Sequence, residues 1–140
     1  MSSNSRYTVA IHALLLLEGP EGGWVTSGWI AGSVNTNPVV IRRVLRVLQA
    51  EGLVEAQKGA RGGYRLARPG RAISLWDVYG ALREDGPFGL HPSAPNPRCP
   101  IGSRIQGRLR EVYGETEASM RRVLCRTTLD GLRRQLAVAR

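Results

Sequence analysis

The segment Asn37-Pro38-Val39-Val40-Ile41-Arg42-Arg43-Val44-Leu45-Arg46-Val47-Leu48-Gln49-Ala50-Glu51-Gly52 sets the architecture of this 140-residue chain. Asn37 is a good N-cap, because its side chain can accept a backbone N–H that the first helical turn leaves unpaired. Pro38 suits the first helical position, where a missing N–H costs nothing. Val40, Ile41, Val44, Leu45 and Leu48 form one apolar face, so the spacing predicts a helix over 38–51 that Gly52 ends. Val39, Arg42, Arg43, Arg46 and Gln49 fall largely on the opposite face. An arginine there can bind a guanine edge bidentately or neutralise a phosphate, whereas a lysine does only the second well. The dipole at the helix N-terminus favours phosphate as well.

A single charge run is usually a solvated helix face, and the elements on either side decide the matter here. Upstream, Thr26 or Ser27 caps a short helix to about Ser33, with Ile30 and Val34 inward. Before it, Ser5 caps a first helix to about Glu18 through Tyr7, Ala10, Ile11, Leu14, Leu15 and Leu17; Gly19-Pro20 stops it and Gly22-Gly23 makes a turn. Downstream, Leu53–Ala56 and Tyr64–Ala67 read as the strands of a hairpin whose turn, 58–63, is glycine-rich and basic. Glycines 59, 62 and 63 let that backbone approach a groove closely, while Lys58, Arg61 and Arg65 supply charge. Three helices, the last two joined by a short turn, then a hairpin, is the winged helix-turn-helix order. The expected fold class is mainly α (α+β). The candidate contacts to double-stranded DNA are Thr26, Ser27, Asn37, Val39, Arg42, Arg43 and Arg46 from the helices, with Lys58, Arg61, Gly62 and Arg65 from the wing 58–65.

Beyond the wing, Arg68-Pro69-Gly70-Arg71 is a turn and Ser74 caps a helix over about 75–83. Residues 86–100 hold five of the eight prolines and cannot be helix or central strand. Phe88 and Leu90 are placed to pin this loop to the body. From Ile101 a helix of roughly 25 residues carries one apolar seam, with Ile105, Leu109, Val112, Tyr113, Met120, Val123 and Leu124, too long for so small a domain to cover. A second copy is the simplest cover. Thr127-Thr128 then caps a last helix to about Ala139. The expected division is a DNA-binding domain over 1–85, a proline-rich cysteine loop over 86–100, and a dimerisation region with the C-terminal helix over 101–140.

Composition bounds the function. Twenty Lys+Arg against eleven Asp+Glu leave a net charge of +9, and Lys58 is the only lysine. Residues 1–75 carry a surplus of five cations and residues 98–140 a surplus of six, around a slightly acidic middle. Such a balance points to an anionic partner, nucleic acid first. Two cysteines, Cys99 and Cys125, cannot build a disulfide framework or a four-thiolate zinc site, and no metal site is expected. The run from Val9 to Leu17 is too short for a membrane span, so the chain reads as cytoplasmic, with both thiols reduced. Cys99 with His91 is the sole nucleophile–base pair, and nothing supplies an oxyanion hole, so no catalytic residue is assigned and an enzyme is not expected. His12 reads as structural, Trp24, Trp29 and Trp76 as core or interface anchors, and Cys125 as packing.

Four stretches carry a resemblance: residues 30–44 around Thr36-Asn37-Pro38, Gly52-Leu53-Val54, Gly59–Arg68 around Gly62-Gly63-Tyr64, and Ile73-Ser74-Leu75-Trp76-Asp77-Val78-Tyr79. Together they resemble the Rrf2 family of bacterial winged-helix transcription regulators, the group of the IscR, NsrR and YwnA types. Ile11-His12, the run from Thr36 to Arg43, and residues 96–102 around Cys99 look like its YwnA-type branch. The resemblance implies a homodimer with the long helix as its seam and a palindromic operator, and repression is the commoner outcome of occluding an operator. Iron–sulfur members of the family carry three cysteines spaced six apart before the long helix. With Cys99 as the third, the partner positions fall on Ser93 and Pro87, which offer no thiolate, so no iron–sulfur cluster or other cofactor is expected. Two readings of Cys99 stand side by side. Arg98 and the start of a helix would favour a thiolate, which makes a redox sensor, while a small packing residue fits equally well. A regulator that answers to a small molecule, with no redox role for Cys99, and an adaptor that docks proteins on the long helix are the alternatives.

Overall fold

A computed structural model describes residues 3–18, 23–83 and 86–136. The chain runs α1 (Ser3–Leu17), α2 (Ser27–Val34), α3 (Pro38–Ala50), β1 (Val54–Gln57), β2 (Gly63–Leu66), a 3-10 turn (Gly70–Ala72), α4 (Leu75–Leu82), α5 (Gly102–Leu124) and α6 (Leu129–Gln135). It is mostly helical with one two-stranded antiparallel sheet. The first helix starts at Ser3, so Ser5 lies inside it and does not cap it. The expected stop at Gly19-Pro20 and the Gly22 side of the following turn lie outside the described residues, and the last helix ends at Gln135, with Leu136 as its cap, short of the expected end at Ala139.

Local chemistry sets most boundaries. The Thr26 hydroxyl accepts the Trp29 N–H at 3.2 Å at the start of α2, and Asn35 ends that helix in the left-handed conformation. Asn37 Oδ1 accepts the Val39 N–H at 2.7 Å, with Pro38 in the first turn of α3. Ser74 and Asp77 form a reciprocal box at α4: Ser74 N–H donates to Asp77 Oδ2 at 2.9 Å, and Asp77 N–H to Ser74 Oγ at 3.1 Å. Thr128 Oγ1 accepts the Gly131 N–H at 3.0 Å at α6.

The chain divides into two compact units. The first contains α1 to α4, the hairpin and α6. Its core is the apolar side of α3 (Ile41, Val44, Leu45, Leu48) against Ala10, Leu14 and Leu17 of α1, Ile30 of α2, and Leu53, Ile73, Val78 and Leu129, all essentially without exposure. Burying each such large side chain contributes about 1.5–3 kcal/mol. The hairpin pairs Val54 with Leu66 and Glu55 with Arg65, and a further bridge joins Val25 to Tyr64 through two 2.8 Å hydrogen bonds. Gly63 has φ +147°, and a Cβ there would sit 2.5 Å from the Val25 carbonyl oxygen, so only glycine permits this bridge.

The C-terminal helix belongs to this first unit, which corrects its expected grouping with residues 101–124. Thr127 and Thr128 pair with the segment before α4: Leu75 N–H donates to the Thr127 carbonyl and Leu129 N–H to the Ile73 carbonyl, each at 2.9 Å. Leu129 is fully buried, and Arg133 donates to the Leu15 carbonyl at 2.7 Å.

The second unit is residues 83–124. Its proline-rich segment runs back along α5 as a strap. Arg83 pairs with Glu117, the Phe88 ring stacks on Tyr113 at 5.1 Å between centroids, and His91 Nδ1 lies 3.4 Å from Gln106 Nε2. At its end the Asn96 carbonyl faces Gly102 so closely that a Cβ there would approach it to 2.9 Å. None of the α5 residues is buried.

Candidate nucleic-acid interface

The inner face of α3 is sealed in the core, and the outer face carries Val39, Arg42, Arg43, Arg46 and Gln49, all exposed. Val39 keeps 42% of its surface open, an apolar group held in water beside three guanidinium groups. Arg42 Nη1 donates to Ser27 Oγ at 3.3 Å, which brings the start of α2 and the outer face of α3 together. Thr26 and Asn37 cap these two helices, so their side-chain oxygens are engaged with backbone N–H groups. His12 Nε2 lies 3.0 Å from Ser33 Oγ and ties α1 to α2, in keeping with a structural role.

The wing presents two different kinds of cation. Arg65 is engaged within the chain: its Nε donates to Glu55 Oε2 at 2.7 Å, and its guanidinium lies 4.2 Å from the centre of the Trp24 ring. The side chains of Lys58 and Arg61, at the exposed tip, have no hydrogen bond or ion pair among the described residues, and the same holds for the side chains of Arg43 and Arg46. The tip turn is glycine-dependent for reasons internal to the hairpin. Gly59 has φ +102°, and a Cβ on Gly62 would fall 2.0 Å from the Gln57 carbonyl oxygen. Glu55 and Trp24 are the neighbours that sequence reasoning missed. Gln57 pairs with Gly63, one residue tighter than the expected turn over 58–63, and this sets Glu55 opposite Arg65 where the expected turn would set Ala56. Trp29, read as a core or interface anchor, stands 59% exposed on α2.

Cys99 is exposed in the strap, which removes the packing reading of this thiol. The backbone N–H groups of Gly102 and then Ile101 point at its sulfur and hold its pKa below the usual thiol value. Cys125, expected to pack, is exposed too. On α5, Val112 and Val123 are exposed, while Ile105, Leu109, Tyr113, Met120 and Leu124 are half-buried, Tyr113 partly beneath Phe88.

Residues 3–135 match the profile of the Rrf2 family, described as iron-dependent transcriptional regulators. YwnA of Bacillus subtilis (strain 168), described as a candidate HTH-type transcriptional regulator, is 38% identical over 127 residues, covering 90% of this chain and 92% of its own length. A crystal structure of a candidate DNA-binding protein superposes with a TM-score of 0.70 at 34% identity, over 91% of this chain and 97% of that one. A candidate transcriptional regulator from Lactobacillus plantarum reaches a TM-score of 0.77 at 26% identity, over 94% and 89%. Among the described residues the iron in the family description meets no matching donor set. Pro87 and Ser93 occupy the strap positions where two further thiolates would be needed, and no three His, Cys, Asp or Glu side chains converge among the described residues.

Proposed function

The chain belongs to the Rrf2 family of transcriptional regulators, which are not enzymes, and from that premise we propose that it is a homodimeric repressor that reads a palindromic operator. The observation that carries the reading is the outer face of α3. Arg42, Arg43 and Arg46 surround an exposed Val39 on a helix whose other side is fixed by four buried residues. Rigid guanidinium groups suit guanine edges, and a valine suits a thymine methyl. Lys58 and Arg61 at the wing tip reach the flanking minor groove or its phosphates, while Arg65, held by Glu55 and Trp24, stiffens the wing.

The two-fold comes from α5. Its seam of Ile105, Leu109, Val112, Met120 and Val123 is left without full cover in the single chain, and a second copy supplies it. Two recognition helices then address half-sites about 34–36 Å apart, or a multiple of that. The test is a titration on DNA from the chain's own upstream region. Binding should weaken steeply between low and moderate salt, because each phosphate contact releases counterions. Binding indifferent to salt would overturn the proposal. Arg43→Ala should cost specific binding about 1–3 kcal/mol and non-specific binding less; equal losses on both DNAs would make Arg43 a phosphate contact.

The exposed, activated Cys99 supports a redox input at the strap. Its thiolate attacks one oxygen of a peroxide, the O–O bond breaks, hydroxide leaves, and the sulfur is oxidised to a sulfenic acid. The new group disturbs a tight local set of bonds: Cys99 N–H donates to the Asn96 carbonyl at 3.2 Å, and the Cys99 carbonyl accepts the Ser103 N–H at 2.9 Å at the start of α5. Peroxide should release DNA from the native chain and leave Cys99→Ser bound. Release that persists unchanged in Cys99→Ser rejects the role.

A further inference from the structure

A cleft of about 320 Å³ opens in the first unit, between the end of α3, the root of the wing and α4. Its size falls within the roughly 300–1,000 Å³ range of small-molecule sites. Glu51, the residue that ends α3, stands at one wall and Arg68, just past β2, at another. From α4 come Asp77 and the half-buried indole of Trp76, with Ala81 and buried Leu53 adding apolar lining. Arg68 Nη2 lies 4.0 Å from Asp77 Oδ2, at the outer limit of an ion pair, and Asp77 Oδ2 is already engaged with the Ser74 N–H. The Glu51 carboxylate has no partner among the described residues.

This lining has a definite preference. Two carboxylates and one guanidinium disfavour a simple anion, and an uncharged apolar molecule would match none of the three charges. A ligand with a carboxylate for Arg68, an ammonium for Glu51 and Asp77, and an apolar or aromatic portion for Trp76 satisfies every wall. We propose that the cleft binds a free amino acid with an aromatic side chain. The carboxylate takes the two-pronged guanidinium contact, the ammonium sits between the two acids, and the side chain lies on the indole. Glu51 terminates the recognition helix and Leu53 leads into the wing, so an occupied cleft braces both DNA-reading elements at their base. That link to DNA rests on the function proposed above; the binding itself does not.

The test uses the full chain without DNA and follows tryptophan fluorescence. L-phenylalanine, phenethylamine and 3-phenylpropanoate serve as probes, since they share a ring and differ in their charges. L-phenylalanine should give a saturable change that Trp76→Phe removes. Arg68→Gln and Glu51→Gln should each weaken binding by about tenfold, the size of one charge-assisted hydrogen bond. 3-phenylpropanoate, lacking the ammonium, should bind about tenfold more weakly or worse. Gly80 also lines the cleft, and an added Cβ there meets nothing, so Gly80→Phe should fill the space and abolish binding with the helical circular dichroism unchanged. No saturable change, equal binding of the three probes, or binding indifferent to Glu51→Gln and Arg68→Gln overturns the proposal. If L-phenylalanine binds and the operator titration fails, the DNA reading falls and the cleft stands. If the titration succeeds and no probe binds, the cleft falls alone.

Discussion

Helices α3 and α5 carry the same kind of apolar stripe, and only α3 finds full cover for it within its own unit. In α3, Ile41, Val44, Leu45 and Leu48 have no more than 1% of their surface exposed. In α5 nothing is buried, and Val112 and Val123 stand 37% and 59% exposed. The two helices also differ in what else they hold. At about 100° per residue, the strap-contacting positions of α5, Gly102, Gln106, Tyr113 and Glu117, span a sector of roughly 60°. Ile105, Val112 and Val123 lie within about 20° of one another, on the flank the strap leaves free. Amphipathic spacing thus announces that a face needs a partner and is silent on which chain provides it. In α3 the face away from the core is the polar one, and it is the face proposed to meet DNA. In α5 the apolar face itself is what remains to be matched.

The largest expected effect tests where the C-terminal helix belongs. Leu129→Ala empties a fully buried position where α6 meets the segment before α4. It should cost about 2–5 kcal/mol of stability in chemical denaturation. Loss of self-association with stability unchanged would instead place α6 with α5. The second test strikes the open seam: Val112→Asp with Val123→Asp should convert the proposed dimer to a monomer in sedimentation at micromolar concentration. Operator affinity should then fall by roughly a hundredfold, since two linked half-site contacts become one. A native chain that already sediments as a monomer would break the comparison outright.

What the sequence discloses follows from the range of each interaction. Caps are local: Asn37-Pro38 and Ser74 announce the starts of α3 and α4, both stand where the sequence puts them, and Asp77 completes the box at α4. The core side of α3 is legible for the same reason, as periodicity within one element. The Val25–Tyr64 bridge is not, because a single residue far upstream pairs with the wing and leaves no pattern of its own. The allegiance of α6 is also non-local, resting on Leu129 and two backbone bonds to the segment before α4. At the candidate DNA face, the identities of the cations were legible and their availability was not. Arg65 and Arg61 look alike in a basic turn, and only the hairpin register, with Trp24 beside it, commits Arg65 to Glu55.

The smallest effect probes a charge rather than a stripe. The first unit covers its apolar faces, yet at the end of α1 it also holds the Glu18 carboxylate against Gly70, with Oε2 buried and unpartnered. Burial pushes the Glu18 pKa up, Asp130 adds to the rise, and Arg133 opposes it. A raised carboxyl pKa means the folded state holds the proton more tightly than the unfolded one. Below the usual carboxylate range both states are protonated and the site costs nothing in ionisation. As pH rises from that range through the raised value, the unfolded state ionises first and stability is lost, and the cost persists at neutral pH. Glu18→Gln removes the charge at nearly constant shape. It should raise Tm by a few degrees at about pH 7.5, and the gain should vanish near pH 3.5. An equal gain at both pH values would assign the effect to packing. No gain at either would mean that Glu18 meets water or a cation in solution, and that this unit leaves its charges as well matched as its apolar faces.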